Sequence, residues 1–239
     1  HQEIEKIEKE TLLAITDSVH QIKTMMNGKF NPPLMSLLQD SKTKYDSRIK
    51  LLDTGRLTVI GLAEIINLIS KLHQLKNGEK LAESELVKGN LFTTVTETIS
   101  LNNIIDELVG LRNLNKNKTE INITTDEDLK VEGNFLRYGN VVPDDVFFQI
   151  LLLTAIENSI EHGGHGRSGV LEIKVRLTSN QLEVSNKAKG DMNGSIRITG
   201  NFKLFQTLVH KLGIGKFTPS TYKENEINFF KITLDSNHK

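Results

Sequence analysis

The chain has 239 residues, enough for two modest domains that each bury a core. Its 30 Lys and Arg balance 30 Asp and Glu, so no basic excess points to nucleic acid or an anionic membrane surface. There is no cysteine, which excludes disulfides, thiolate metal sites and a cysteine nucleophile, and no apolar run approaches the ~20 residues that span a bilayer.

The highly charged stretch His1–Glu10 cannot be a signal peptide. It reads as the interior of a helix, which sets the expectation of a cytoplasmic segment cut from a longer protein, with a membrane receptor portion upstream. Leu12, Ile15, Val19, Ile22 and Met26 then recur three and four apart as a heptad seam. Pro32 and Pro33 interrupt this helix. A proline in a helix interior costs ~3 kcal/mol, so a bend is expected after Gly28, with Asn31 capping a restarted helix. A turn is expected within Gln39 to Lys44, where Asp40, Ser41 and Lys42 cluster.

The second helix carries two adjacent stripes, Leu52–Val59–Leu62–Ile66–Ile69 and Ile65–Leu68–Leu72–Leu75. A face that wide suits a four-helix bundle, which two helices complete only as a homodimer. The polar stretch Lys76–Lys88 is the expected border, dividing a helical hairpin over residues 1–80 from a second domain over residues 90–239.

Beyond it the periods mix. Glu120–Thr124, Leu171–Val175, Leu182–Val184 and Phe229–Leu234 alternate as strands, while Leu101–Leu111, Asp144–Glu161 and Phe202–Leu212 read as helices. That order predicts an α/β two-layer sandwich, so the chain as a whole reads as α+β multidomain.

Two sites carry chemistry. In Val19-His20-Gln21-Ile22-Lys23-Thr24 the apolar residues face the seam, which turns His20 to the rim or to water, with Thr24 one turn later on the same face. A neutral imidazole placed there can attack a γ-phosphate; the bland alternative is an ordinary exposed histidine. In Leu151–His162 apolar residues bury one face, and Asn158 is an amide in an otherwise apolar helix. Burying an amide is costly unless it is satisfied. Magnesium and phosphate oxygens would do that, and so would a hydrogen bond inside the fold.

His20-Gln21-Ile22-Lys23-Thr24 resembles the phosphoacceptor box of sensor histidine kinases, except that Met25 stands where a proline usually follows. By that resemblance His20 accepts phosphate, Gln21 fills the position of the activating acid or amide, and Thr24 the position tied to phosphatase activity. Glu157-Asn158-Ser159-Ile160-Glu161-His162-Gly163 resembles the asparagine box of the GHKL ATPases. The resemblance makes Asn158 the Mg ligand and places Thr154, Glu161 and His162 at the nucleotide, although Glu161 stands for a usual lysine. Ser185–Gly190 falls where that superfamily has Asp-x-Gly-x-Gly, so that Asn186 replaces the adenine-binding aspartate, Ala188 replaces the first glycine and Gly190 keeps the second. Asp191–Ile198 is a lid candidate, and Thr199–Leu204 resembles a worn Gly-x-Gly-Leu-x-Leu box in which only Gly200 remains.

The resemblance implies a dimeric kinase of two-component signal transduction. It would autophosphorylate His20 from Mg-ATP and pass the phosphoryl group to the aspartate of a response-regulator receiver domain. The missing glycines support an alternative, a nucleotide-independent phosphotransfer adaptor or pseudokinase scaffold of the same fold; a pure protein-interaction module is a third reading. His162 and His165 lack a third ligand nearby and do not read as a metal site.

Overall fold

The computed structural model describes residues 15, 19–40, 42, 46–76, 78–113, 121–125, 129–132, 135–163, 170–188 and 200–236. The chain opens with a helical arm. Helix α1 (residues 19–25) runs into a π-turn, Met26–Phe30, and then into α2 (Asn31–Gln39). The expected restart does not occur. Phe30 and Asn31 both keep helical dihedrals, and the junction has no side-chain cap. Pro32 and Pro33 cannot donate to the carbonyls one turn back, and the wider turn, in which the Asn31 N–H reaches the Met26 carbonyl, absorbs the mismatch.

The expected turn follows α2, and α3 (Ser47–Gln74) begins after Asp46, whose carboxylate accepts from the Arg48 N–H at 2.9 Å. This 28-residue helix serves two bodies of the molecule. It packs against α2 at one end and against the helices of the sandwich at the other. Ile65, Leu68 and Ile69 belong to the main hydrophobic core. The stripe through Ile65 and Leu68, expected to face a bundle, is therefore buried within the chain against the sandwich. The polar stretch after α3 is not simply solvated either: Leu81 and Leu86 are core residues, the latter on the short helix α4 (Glu83–Val87).

Two short antiparallel pairs lie beside the main sheet: β1 (Phe92–Thr93) with β5 (Val142–Pro143), and β2 (Ile99–Ser100) with β4 (Lys130–Val131). The sheet itself has five strands, β3 (Ile121–Thr125), β6 (Leu171–Leu177), β7 (Gln181–Lys187), β9 (Ile227–Ser236) and β8 (Gly215–Glu224), in the spatial order β3-β6-β7-β9-β8. Among the described strands of this sheet, only β3 and β6 pair in parallel. Leu171, Ile173 and Val175 point into the core while Glu172, Lys174 and Arg176 face out, so one side of the sheet is covered and the other is wet. The covering layer is α5 (Leu101–Asn113), α6 (Asp145–His162) and α7 (Gly200–Leu212). Phe147 of α6 and Phe205 of α7 meet edge to face at 5.4 Å between ring centres. This is the two-layer α/β sandwich that the alternation predicts.

Strand β8 is an addition to the sequence expectation. It turns into β9 through Asn225 and Glu226, both at positive φ, the geometry of a two-residue type I′ hairpin. Counting back from that turn, Phe217 and Pro219 direct their backbone groups outward, to the free edge. Pro219 therefore forfeits no ladder bond there, and the Phe217 carbonyl accepts from Gln206 Nε2 of α7 at 3.3 Å.

Candidate functional site

His20 is exposed on α1, as its place next to the buried Val19 requires. Gln21 and Thr24 are exposed beside it. The Thr24 hydroxyl donates to the His20 carbonyl at 2.9 Å, so the hydroxyl is held one turn from the imidazole and on its face of the helix. Lys23, on the same turn, is tied the other way: its ammonium lies 2.5 Å from Glu64 Oε2 of α3.

The second group of residues meets where α6 ends against β7. Asp144 caps α6, its carboxylate accepting from the Asp145 N–H. Burial, reinforced by Asp144 and Glu97 nearby, holds the Asp145 carboxyl above the usual range. Three turns on, Thr154 and Asn158 are both half-buried. Among the described residues nothing hydrogen-bonds the Asn158 carboxamide, and its polar atoms remain open to solvent and so to a ligand. An amide oxygen on such a group is a donor of the kind Mg²⁺ takes, and in that respect Asn158 fits a magnesium ion.

The next residue does have partners. The Ser159 hydroxyl lies 2.8 Å from the Ala155 carbonyl and 3.0 Å from Asn186 Oδ1 and shares its proton between them. Asn186, 4% exposed, completes its bonding by donating from Nδ2 to the Lys187 carbonyl at 2.9 Å. Its Oδ1 keeps a second lone pair. Gly163 closes the corner by bridging to Ala188, and its N–H donates to the Ser159 carbonyl at 2.7 Å. Glycine is required here for space and not for backbone freedom, since φ is −73°. An added Cβ would overlap the Ser159 carbonyl and approach Leu171 Cδ1 to 2.6 Å and Asn186 Nδ2 to 3.1 Å.

Asn158, Ser159, Gly163, Asn186 and Ala188, at least 23 positions apart between the two groups, are thus brought to one corner of the sandwich. Ser159 is the residue that sequence reasoning passed over. Its signal was present, a hydroxyl in an apolar helix next to the amide. Gly200 opens α7 at φ +58°. Glu161 and His162 lie on the last turn of α6, their side chains outside the described residues, as is Gly190 with the whole of the lid candidate. Among the described residues no cluster of His, Asp and Glu could hold a metal ion by itself, and no helix is long and apolar enough to cross a membrane.

Fold and corner define an α/β sandwich with a helical arm that bears an exposed histidine. No family model matches the sequence, and no curated protein matches it. Similar solved structures are described as histidine kinases, some of them as a cytoplasmic segment or catalytic domain. Acinetobacter baumannii histidine kinase AdeS matches at 14% identity over 97% of this chain and 98% of its own, with a TM-score of 0.39. The cytoplasmic segment of histidine kinase QseC matches at 12% identity over 79% and 95%, with a TM-score of 0.42. Histidine kinase ThkA, in complex with response regulator protein TrrA, matches at 17% identity over 99% of this chain and 64% of its own, also at 0.42. Likeness at these TM-scores carries no weight on its own, and the functional reading rests on the residues.

Proposed function

We propose that the chain is the catalytic half of a sensor histidine kinase, in which His20 takes the γ-phosphoryl group of ATP and passes it to the aspartate of a receiver domain. The observation that carries this reading is the corner at Asn158. The asparagine-bearing helix and the strand carrying Asn186 are joined there through Ser159, and the Asn158 carboxamide is left without an internal partner. Asn158 would hold a magnesium ion, which supplies charge neutralisation on the phosphates. Asn186 would accept from the adenine amino group with its remaining lone pair, and Thr154, Glu161, His162, Gly190 and Gly200 would line the nucleotide. On the arm, the exposed imidazole is the nucleophile. Gln21 sits next to it and Thr24 is held one turn away. Homodimerisation through the arm and α3, and a cytoplasmic setting, complete the proposal.

One observation favours a second reading, the nucleotide-independent adaptor or pseudokinase. Both polar atoms of Asn186 are already engaged within the protein, and Ala188 occupies a position where the backbone pairs closely with Gly163. Incubation with γ-labelled ATP and magnesium decides between them. The kinase gives an acid-labile, base-stable phosphoryl mark that His20→Ala abolishes and Asn158→Ala lowers at least about 100-fold, in line with losing a group that acts on the transferring phosphate. A mark that survives His20→Ala refutes the assigned acceptor. No saturable binding of a fluorescent ATP analogue, with His20 still phosphorylated by a partner, selects the adaptor.

A further inference from the structure

Glu64 is a carboxylate buried to 3% exposure in the middle of α3, and nothing in the phosphotransfer reading uses it. Three groups surround it. Lys23 Nζ of the arm lies 2.5 Å from Oε2. The Asn67 amide, one turn on, reaches Oε1 and Oε2 only at 3.4 and 3.5 Å. Gly89, in the turn after α4, is packed so closely over the side chain that an added Cβ would overlap the Glu64 carboxylate.

Each contact comes from a different part of the chain. Lys23 belongs to the helix of His20 and lies three residues beyond it, on the next turn. Gly89 belongs to the segment that leads into β1. Glu64 itself precedes Ile65 and Leu68, which are fixed in the sandwich core. A long, flexible lysine bound to an exposed acid would contribute little. Here the acid is desolvated, and without the ammonium it keeps only a poor amide contact. Swinging the arm away from α3 would break the pairing of that charge with its ammonium.

We propose that the Lys23–Glu64 pair is a latch that fixes the arm against α3, with Lys23 and Glu64 acting as positioning residues for His20. The ion pair, seated on Gly89, adds to the packing of α2 on α3 in holding the arm's angle to the sandwich, and that angle sets where the imidazole stands when phosphate is transferred. The consequence for transfer rests on the phosphotransfer reading; the mechanical latch does not.

The test uses the full chain and two readouts, hydrogen exchange by mass spectrometry and His20 labelling from Mg-ATP. Glu64→Gln keeps the shape that Gly89 covers, and Lys23→Met keeps the aliphatic stem. Either change is expected to speed exchange of amides 19–25 at least about tenfold while β6 and β7 keep their protection, because opening is local. The double variant should do no more than either single one, since both remove the same contact. Labelling at saturating ATP should slow with the ATP KM unchanged, the mark of a group that positions the acceptor and not the nucleotide. Unchanged exchange in 19–25, or a rise spread equally over the sheet, overturns the latch. Faster local exchange with an unchanged labelling rate overturns its positioning role. Local exchange that responds as expected in a protein that never labels supports the mechanical latch and refutes the phosphotransfer reading alone.

Discussion

At the scale of single residues, the contacts of Asn186 suit an amide better than a carboxylate. An amide can accept from Ser159 with one atom and donate to the Lys187 carbonyl with the other. An aspartate would turn its second oxygen toward that carbonyl, burying two acceptors against each other. Asn186→Asp is therefore expected to destabilise the fold by about 1–3 kcal/mol, the cost of an unsatisfied buried polar group. The direction with pH follows. Burial and the facing carbonyl raise the aspartate's folded pKa above its unfolded one, so the protonated acid is tolerated and the anion is not. The loss is smallest at acid pH and grows as pH rises through the folded pKa. Thermal melts of the two proteins at pH 5 and pH 8 measure it; equal differences at the two values would mean that the carboxylate finds a donor.

Among the elements, α3 depends on how it starts. Asp46 accepts from the Arg48 N–H and also pairs with the Arg48 guanidinium at 2.7 and 3.1 Å, bonds that hold its carboxyl down at about 2. Since the pKa is depressed in the fold, the contribution is present above the ordinary value of 3.8 and is lost as pH falls from there toward 2. Asp46→Ala should lower the melting midpoint by a few degrees at neutral pH, Asp46→Asn by less because its oxygen still caps, and the variants should converge toward the parent only as pH falls to about 2. A midpoint unaffected by Asp46→Ala at pH 7 would show that the start of α3 does not limit stability.

The elements also mark how far pattern alone could be read. The strand β6 and the helices α5 and α7 announce themselves because each buries one face, so period and environment agree. Strand β8 does not. It is an edge strand whose Pro219 is harmless only because its backbone faces outward, and its turn places Glu226 where glycine is the usual residue. The Asn31 junction escapes pattern reading for a related reason. Two prolines forbid ordinary α-helical bonds, but a single wide turn satisfies the backbone without a restart. At the candidate site, Asn158 and Asn186 stand out as residues in the sequence, whereas the bond from Ser159 to Asn186 that ties the two elements together goes with the close approach at Gly163, which no spacing reveals.

Across the whole molecule, the apolar stripes of α3 part company along the length of the helix, the C-terminal half going to the sandwich and the N-terminal half staying open. Periodicity shows that a face is to be buried but not against what. Ile65 and Leu68 are spent within the chain, on the sandwich core. Leu52, at 49% exposure, and Val59 stay open, as do Ile15 and Ile22 on the opposite side of the hairpin. An apolar strip of that kind on a helical arm is what a second copy would cover, and the two-fold symmetry of such a bundle would present each residue to the interface twice. A single charge placed there is then buried twice without a partner. Leu52→Glu is expected to raise the dimer dissociation constant at least about 100-fold, while the melting of the sandwich, whose core does not include Leu52, stays where it was. Light scattering over a micromolar dilution series reads the first effect and calorimetry the second. A parent protein that is already monomeric throughout that range removes the second copy as occupant of the strip, and a dimer that survives Leu52→Glu moves the interface elsewhere.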